Sequence, residues 1–218
     1  MYFVVAGLSS IGRSLVEVLQ QAGEEVVAID SDKEKCSELA ESSDIMVIEG
    51  DITKKSVLEE AGVKNAKAMI ALTNDDSDNL MACMLAKEVG AGKVISILND
   101  VVHAEAFKEA KIDVQVKPDA IVARHIYHTI LQPYVKDFVY INNSELFDIE
   151  IADNMRCVGK SVGDLESPKG VKIIWVKRKD TYLNEEDKIE PADHLTLIVK
   201  GEFSKRGTEF INKCFTQG

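Results

Sequence analysis

Positive charge and long apolar runs are both scarce in this chain of 218 residues. Its 26 Lys and Arg face 37 Asp and Glu, and the net charge of -11 at pH 7 argues against nucleic acid or an anionic membrane surface as a partner. No apolar run reaches the roughly 18 residues needed to span a bilayer, and the first strand begins too early for a signal peptide. We therefore expect a cytoplasmic protein without direct membrane insertion, which reaches a membrane only through a partner.

Cysteine is limited to four scattered positions, without a CxxC or zinc-type spacing. These are Cys36, Cys83, Cys157 and Cys214. The pattern predicts reduced, buried thiols and no metal site. The 45% of hydrophobic residues are enough to bury a core, so we expect one large or two small globular domains.

The stretch from Phe3 to Asp30 has the pattern of a dinucleotide-binding βαβ unit. An apolar strand leads into a glycine turn, and apolar residues at spacings of three and four then predict a helix. A second apolar strand, over 26–29, ends at Asp30, which lies eighteen residues beyond Gly12. An acid is expected about 20 residues beyond the glycine turn, where its carboxylate accepts the ribose hydroxyls of a nucleotide.

The glycine turn departs from the G-x-G-x-x-G pattern at its middle position, where a glycine normally lets the backbone approach a pyrophosphate. Its six residues are Gly7, Leu8, Ser9, Ser10, Ile11 and Gly12. The Ser9 side chain narrows the approach but offers a hydroxyl, and the helix N-terminus still presents N–H groups to an anion. A structural turn without a ligand is the alternative at this point.

Strands and helices alternate over the first 116 residues with short turns between them. This predicts an α/β fold with a Rossmann-like, doubly wound parallel sheet in the strand order 3-2-1-4-5-6. Ligands of such sheets bind beyond the carboxyl ends of the strands, where the loops at Gly7, Asp30, Asp51 and Thr73 are expected to meet. Asp51 is also predicted to cap a helix over 53–61.

A different pattern begins after the sixth strand. An apolar helix over 119–131 has too many apolar sides for a solvated surface, so we expect it to pack against a neighbouring subunit. Pro133 ends it, and residues 134–143 are interpreted as a bridge with a turn at Asn142 and Asn143. Residues 144–218 predict a small α+β module with a short helix over 159–165 and a closing helix over 202–215. The predicted domains are therefore 1–133 and 144–218.

Three segments of the chain together resemble the TrkA family of potassium-transport regulators. They are VVAGLSSIGRSLVEVL followed by VVAID, then GDITKKSVLEEAG with ALTNDD, and finally GKSVGDL with DHLTLIV. The resemblance covers nearly the whole chain and implies an RCK (KTN) nucleotide-binding domain followed by a small TrkA C-terminal domain. It further implies an octameric ring, built by self-association or with a paralogous RCK subunit, that binds a nucleotide and gates a membrane potassium-pore subunit.

The resemblance also assigns residues to the nucleotide site. Beyond the glycine turn, the implied site residues are Asp30, Ser31, Asp51, Ile52, Thr73 and Asn74. The glycine turn faces the phosphates, the acid after the second strand holds the ribose, the residues at 51 and 52 flank the adenine, and those at 73 and 74 close the site.

Two departures from the family pattern bear on the ligand. Ser9 and Ser10 stand where the family often has glycine and arginine, which leaves only Arg13, and Ile97 stands where it often has an arginine in the fifth strand. Both remove positive charge or backbone access near the phosphates. We therefore expect an adenine mononucleotide (AMP, ADP or ATP), with NAD(H) as the alternative. NADP is not expected, because the Asp30 carboxylate repels a 2′-phosphate.

The main alternative function is an NAD-dependent dehydrogenase, which needs an acid or base beside the nicotinamide. Because no histidine has an evident carboxylate or cysteine partner, no catalytic residue and no enzymatic activity are predicted. His125 and His128 are interpreted as a partly exposed interface face. The acids at 75, 76 and 78 are interpreted as helix caps, with a divalent cation as the alternative. A stand-alone nucleotide sensor without a pore partner is a third hypothesis.

Overall fold

The computed structural model describes residues 2–131, 135–141 and 143–215, and the chain divides into two compact units, residues 1–121 and 122–218. The strands of the first unit are β1 (Tyr2–Ala6), β2 (Glu25–Asp30), β3 (Met46–Glu49), β4 (Ala68–Ala71), β5 (Val94–Ile97) and β6 (Val114–Val116). They form one parallel sheet in the order β3-β2-β1-β4-β5-β6, which confirms the predicted doubly wound fold.

Helices alternate with these strands, as the sequence pattern predicts. They are α1 (Ser10–Gln21), α2 (Lys33–Ser42), α3 (Lys55–Glu60), α4 (Asp76–Val89), α5 (Ala104–Glu109) and α6 (Pro118–Leu131). In β1, Val4 belongs to the buried cluster that contains Ala82 of α4, whereas Val5 belongs to the cluster that contains Val16 of α1. The sheet is therefore buried on both faces, which explains why its strands are continuous apolar runs.

The predicted cap of the third helix is wrong. Lys54 occupies the N-cap position of α3 and makes no side-chain capping bond. The Asp51 carboxylate instead accepts hydrogen bonds from the N–H and the hydroxyl of Thr53, at 2.8 and 2.6 Å. A carboxylate bonded two residues ahead forms an Asx-type turn, so Asp51 shapes the loop after β3 and not the helix.

The second unit contains a five-stranded antiparallel sheet. Its strands are β7 (Val135–Ile141), β8 (Ser144–Glu150), β9 (Val171–Arg178), β10 (Thr181–Tyr182) and β11 (His194–Lys200), followed by the helix α7 (Ser204–Phe215). The strand order is β10-β9-β11-β8-β7. Alternate residues of β8, such as Phe147 and Ile149, pack with Phe210 and Phe215 of α7 in one core. This arrangement is the predicted small α+β module.

The interpretation of residues 134–143 as a bridge is wrong for most of that segment, because Val135–Ile141 forms an edge strand paired with β8. An edge strand has an unpaired side and tolerates charged residues such as Lys136 and Asp137, so its pattern is weak in the sequence. Pro133 and Asn142, the predicted helix stop and turn, lie outside the described residues. The domain boundaries at 133 and 144 stay a prediction, while the two compact units divide within α6.

Two helices of the second unit differ from the predicted ones. The predicted helix over 159–165 is only a 3₁₀ turn at Val162–Asp164. The closing helix begins at Ser204, after a 3₁₀ turn at Gly201–Phe203. In both places the chain makes i+3 bonds over one turn and does not extend them into a regular helix at the predicted start.

The α6 residues of the second unit expose a row of apolar side chains. Val122, Ile126, Tyr127 and Ile130 are each more than half exposed, in line with the apolar helix that the sequence predicts. Packing of this face against a neighbouring subunit stays a prediction. In the described ranges, no helix is both long enough and apolar enough to cross a membrane.

The buried side of α6 corrects the interpretation of its histidines. His128 is only 2% exposed and packs against the rings of Phe138 and Phe147. Its Nε2 lies 3.4 Å from Oε1 of Glu145, so it does have a carboxylate partner. His125 and His128 are three positions apart, but they do not share an exposed face, because the hairpin of β7 and β8 covers His128. His125 is exposed and stacks on Phe138.

Candidate functional site

A cavity of about 310 Å³ opens where the first four strands end. Its lining residues are Gly7, Asp30, Ser31, Gly50, Asp51, Ile52, Thr53, Thr73 and Asp78. Because β1 lies between β2 and β4, the strand order reverses here, and this is the place where open α/β sheets bind ligands. The cavity is therefore the candidate binding site of the first unit.

Two glycines bring the turn after β1 against the loop after β4. Gly7 has a φ of 99°, and a Cβ on it would lie 2.7 Å from the backbone nitrogen of Thr73. A Cβ on Gly12, in the first turn of α1, would overlap the carbonyl oxygen of Gly7. Both positions need glycine for steric reasons, and only Gly7 also needs it for its left-handed backbone.

Ser9, the departure from the glycine pattern, is the N-cap of α1. Its hydroxyl oxygen accepts the Gly12 N–H at 3.4 Å, and its hydroxyl donates to the Leu72 carbonyl at 2.8 Å. This hydroxyl is therefore engaged on both sides. An anion at this turn would instead meet the N–H groups of Ser10 and Ile11, because the first N–H groups of a helix have no acceptor within it.

The Asp30 carboxylate at the end of β2 is 8% exposed and is held by two loops. Its Oδ2 accepts the Leu8 N–H at 2.5 Å, and its Oδ1 accepts the Asp32 N–H at 2.8 Å. The Lys35 ammonium lies 3.9 Å from Oδ2. Because an ionised carboxylate has about four acceptor positions, both oxygens keep capacity for hydroxyl groups of a ligand.

Three carboxylates line the cavity, those of Asp30, Asp51 and Asp78. The hydroxyl and then the N–H of Thr53 lower the pKa of Asp51. Burial, followed by the negative charges of Asp75 and Asp51, raises the pKa of Asp78. In the part of the chain that the structure describes, no lysine or arginine lines this cavity. Its walls therefore suit hydroxyl and amino groups, and they disfavour a phosphate beside the acids.

The structure brings only part of the predicted site to this cavity. The predicted residues that line it are Gly7, Asp30, Ser31, Asp51, Ile52 and Thr73. The predicted residues that do not are Leu8, Ser9, Ser10, Ile11, Gly12 and Asn74. Among these, Leu8 is a core residue with 1% exposure, and Asn74 is exposed. The assignment of all twelve positions to a nucleotide stays a prediction.

Sequence reasoning missed three lining residues, Gly50, Thr53 and Asp78. A Cβ on Gly50 would lie 2.8 Å from Val57 of α3, so a side chain there has no room. The available signals were a glycine directly after a strand and an acid in the first turn of the helix that follows β4. Both are positions at the carboxyl edge of a parallel sheet.

The acids at the start of α4 have structural partners. Asp75 is the N-cap, as predicted, and its Oδ1 accepts the N–H groups of Ser77 and Asp78 at 2.7 and 3.1 Å. Within the described ranges, no group of three or more His, Cys, Asp or Glu side chains is arranged to hold a metal ion. The two hydrogen bonds from the N–H groups of Ser77 and Asp78 support capping as the role of Asp75.

Asp76, only 6% exposed, joins α4 to the loop after β5. It accepts the N–H groups of Asn99 and Asp100, both at 2.8 Å, and lies 2.9 Å from Nδ1 of His103. Burial acts to raise the pKa of Asp76, but these hydrogen bonds outweigh burial and hold that pKa below its ordinary value. The hydrogen bond between the Asp76 carboxylate and the His103 ring raises the pKa of His103.

The cysteines are reduced thiols and most of them are buried, as their scattered spacing predicts. All four are free thiols, and Cys36, Cys83 and Cys157 are buried. Burial raises the pKa of Cys83 to about 12 and that of Cys157 to about 11. Thiols with such pKa values are poor nucleophiles at neutral pH.

Known proteins resemble this chain in sequence over most of its length. Residues 3–118 match the model of the TrkA-N domain. The Trk system potassium uptake protein TrkA homolog of Methanothermobacter thermautotrophicus is 30% identical over 212 residues, which cover 95% of this chain and 98% of that protein. The TrkA homolog of Pyrococcus abyssi is 33% identical over 210 residues, which cover 93% of this chain and 90% of that protein.

Solved structures of GsuK have the same fold. The GsuK channel bound to NAD matches all of this chain with a TM-score of 0.67 at 19% identity, and the chain spans 40% of that GsuK chain. A GsuK structure bound to ADP matches 58% of this chain and 34% of that chain, with a TM-score of 0.54 at 23% identity. The GsuK structures show the fold, while the TrkA-N match and the two TrkA relatives confirm the resemblance found in the sequence: the chain belongs to the TrkA family, with a TrkA-N domain over residues 3–118.

Proposed function

We propose that this chain is a regulatory subunit of a potassium uptake system and that its first unit binds an adenine nucleotide at the cavity beside Asp30. The observation that carries the proposal is the buried Asp30 carboxylate, which lines the cavity at the switch point of the sheet. The relatives named as Trk system potassium uptake proteins support the potassium part, since they match over most of their own length.

The residues that line the cavity favour a ligand whose part beside Asp30 carries little negative charge. Three carboxylates and no described lysine or arginine line the cavity, so it suits the ribose and the amino group of adenine. Phosphates then belong toward the first turn of α1, where the N–H groups of Ser10 and Ile11 point outward from the helix. AMP, ADP and ATP would place one, two and three phosphate groups there, and NAD(H) is the alternative, since a GsuK channel structure is bound to NAD.

The proposed function is not enzymatic. Among the described residues no histidine or cysteine lines the cavity, so no proton donor or nucleophile of these types stands beside a bound nicotinamide. We expect purified protein to bind a nucleotide without consuming NADH in the presence of candidate substrates. Reproducible NADH oxidation that is lost in a cavity variant would favour the dehydrogenase hypothesis.

The test of the binding site is a titration of the purified full chain with AMP, ADP, ATP and NAD by calorimetry. Mass spectrometry of any nucleotide retained through purification identifies the natural ligand. We expect AMP, ADP or ATP to bind more tightly than NAD. A protein that binds none of the four would contradict the nucleotide site and leave only the family assignment.

Assembly and the pore partner need a separate experiment. The exposed apolar side chains of α6 support self-association, so Ile126→Asp should shift the particle to smaller species in light scattering, because a charge in a buried interface is costly. Val18→Asp, which charges an equally exposed apolar residue of α1, is the matched control. Copurification with a membrane pore subunit tests the partner, and a sensor without a partner would copurify with none.

In the octameric ring that the resemblance implies, each site does not need a large difference in nucleotide affinity between the open and closed states of the gate. Moving a gate from 1:99 to 99:1 takes about 5.5 kcal/mol in total. If eight sites share that free energy, each supplies about 0.7 kcal/mol, which is a roughly threefold difference in affinity between the two states. Two adenine nucleotides with similar affinities can therefore have opposite effects on transport. Potassium flux in vesicles that carry the pore partner measures this directly.

A further inference from the structure

A buried amide behind the cavity holds one of its walls in place. Asn79, near the start of α4, has 0% exposure. Its Oδ1 accepts the N–H of Thr73 at 2.9 Å and the hydroxyl of Thr73 at 2.8 Å, and its Nδ2 donates to the carbonyl of Thr73 at 2.9 Å. Because Thr73 presents both a donor and an acceptor, a side chain of this size must be an amide to satisfy both.

Thr73 lines the cavity, yet its polar atoms are satisfied inside the protein. In addition to Asn79, the Nδ2 of Asn99 donates to its carbonyl at 3.2 Å. Its hydroxyl also lies 3.0 Å from the carbonyl of Asp75 and accepts the N–H of Asp75 at 3.3 Å. Thr73 therefore offers a ligand its molecular surface rather than a hydrogen bond. What it contributes to binding depends on where it is held.

Thr73 is held directly against the glycine turn. A Cβ on Gly7 would lie 2.7 Å from the nitrogen and 2.8 Å from Cγ2 of Thr73, so the two residues are in contact. The hydrogen bond from Ser9 to the carbonyl of Leu72, at 2.8 Å, joins the same two loops one residue earlier. The gap between these loops at the cavity therefore follows the position of Thr73.

We propose that Asn79 is a positioning residue for the nucleotide site, which holds Thr73 against Gly7 and so sets the width of the cavity and its affinity for an adenine nucleotide. This inference rests on the proposed function and adds to it a residue that does not touch the ligand. A displaced Thr73 would leave a gap beside the ligand, and van der Waals attraction falls steeply with such gaps.

The near-isosteric variant Asn79→Asp tests the proposal through a pH profile. At pH 8 an ionised carboxylate still accepts the N–H of Thr73 but has no proton for its carbonyl, and we expect the Kd for AMP to rise about tenfold. Burial favours the neutral acid at this position. At about pH 5.5 the protonated form donates to the carbonyl again, so the Kd should return to within about threefold of wild type at the same pH.

Two further variants serve as control and as a second test. Ser77→Asp adds the same charge on the exposed side of the same helix and keeps the contacts of Thr73, so its Kd should stay within about twofold of wild type at both pH values. Asn99→Ala removes the second donor to the Thr73 carbonyl at an exposed position. It should fold, and it should weaken AMP binding by about threefold.

The outcomes separate positioning from a purely structural role. An Asn79→Asp protein that is folded by circular dichroism, melts earlier than wild type and binds AMP with the wild-type Kd at pH 8 would overturn the inference. If that variant does not fold, an unchanged Kd for Asn99→Ala overturns it instead. A wild type that binds none of AMP, ADP, ATP and NAD overturns the nucleotide site and this inference together, so the wild-type titration tells the two failures apart.

Discussion

Asp193 of the second unit and Asp30 of the first are both buried carboxylates, and different groups hold them. In the second unit, Asp193 has 0% exposure and accepts two hydrogen bonds from the Arg178 guanidinium, at 2.8 and 2.9 Å. Burial acts to raise the pKa of Asp193, but the guanidinium outweighs burial and keeps that pKa below its ordinary value. In the first unit, Asp30 is held by the N–H groups of Leu8 and Asp32.

The groups that hold a buried carboxylate decide whether it has a structural role or remains able to bind a ligand. A bidentate pair with arginine neutralises the carboxylate and occupies both of its oxygens. Backbone N–H groups orient the Asp30 carboxylate, and the Lys35 ammonium lies 3.9 Å from Oδ2, beyond hydrogen-bond distance, so both oxygens keep acceptor capacity at the wall of a cavity. We therefore expect changes at Asp193 to lower stability and changes at Asp30 to lower ligand affinity.

The largest expected effect comes from breaking the pair of the second unit. Asp193→Ala removes the acceptor of two hydrogen bonds from Arg178 and of one from the Glu190 N–H, and should lower the free energy of unfolding by about 3 kcal/mol, although Arg178 keeps Glu190 as a partner at 3.0 Å. Trp175, the single tryptophan of the chain, lies in β9 and reports urea unfolding of this unit by fluorescence. The control Asp180→Ala breaks an exposed pair with Lys177 and should cost less than about 0.5 kcal/mol. Equal losses in both variants would contradict the comparison.

The second effect falls on ligand binding in the first unit. Asp30→Asn removes the charge and leaves one of two N–H groups facing a donor, so AMP binding should weaken by about 1.5–3 kcal/mol, roughly ten- to a hundredfold in Kd. The unfolding transition of the second unit, reported by Trp175, should not move, and circular dichroism checks that the first unit stays folded. Glu38→Gln, which removes an exposed charge of α2, is the calorimetric control. An Asp30→Asn protein with the wild-type Kd would leave Asp30 a structural residue like Asp193.

A third, smaller effect is the pH dependence of the contact between Asp76 and His103. The raised pKa of His103 means that its stabilising contribution is complete below the ordinary histidine pKa of about 6.5 and is lost as the pH rises through the raised value. The lowered pKa of Asp76 means that its contribution is complete above about 3.9 and is lost as the pH falls through the lowered value. The contact therefore stabilises the first unit most between about pH 4 and 6.5.

His103→Gln tests this window, since a glutamine cannot titrate. Between pH 6 and 8, wild type should lose stability relative to the variant, measured by urea unfolding followed by circular dichroism. The Trp175 signal, which reports the second unit, should show no such difference between the two proteins. A constant difference between wild type and variant over this pH range would mean that the contact does not depend on the histidine charge.

The smallest expected effect is at the glycine turn. Ser9→Gly removes a cap at a cost of a few tenths of a kcal/mol and opens the backbone to a larger phosphate group. We expect it to change the ranking of AMP, ADP, ATP and NAD while recognition of adenosine through Asp30 stays nearly unchanged. The four-ligand titration of both proteins measures this, and an unchanged ranking would remove Ser9 as a determinant of specificity.

Periodicity and strand-end positions predicted the larger features of the molecule. Apolar runs alternating with helices gave the strand order, and Asp30 was located by its distance from Gly12. The contacts of individual polar groups were not predictable in the same way. The sequence shows that Asp51 precedes a helix, but only the structure shows that its carboxylate accepts hydrogen bonds from Thr53 and does not cap that helix.

Long-range pairs were the other class that the sequence could not supply. Glu145 lies seventeen positions after His128, and only the hairpin of β7 and β8 brings the two side chains together. That hairpin was itself missed, because an edge strand with charged residues lacks a clear alternation. Asn79 was missed for a similar reason, since a polar residue on a helix is ordinarily exposed and here it is buried against a loop.

The fixed carboxylate of Asp30 has a consequence for the rates of binding. Its orientation is set by Leu8 and Asp32 before a ligand arrives, so no entropy is lost in ordering this side chain during association. Ligands that differ in affinity at such a site should differ mainly in their dissociation rates. How long the bound state persists after the nucleotide concentration falls is then set by the residence time of the ligand, and not by how quickly it is captured.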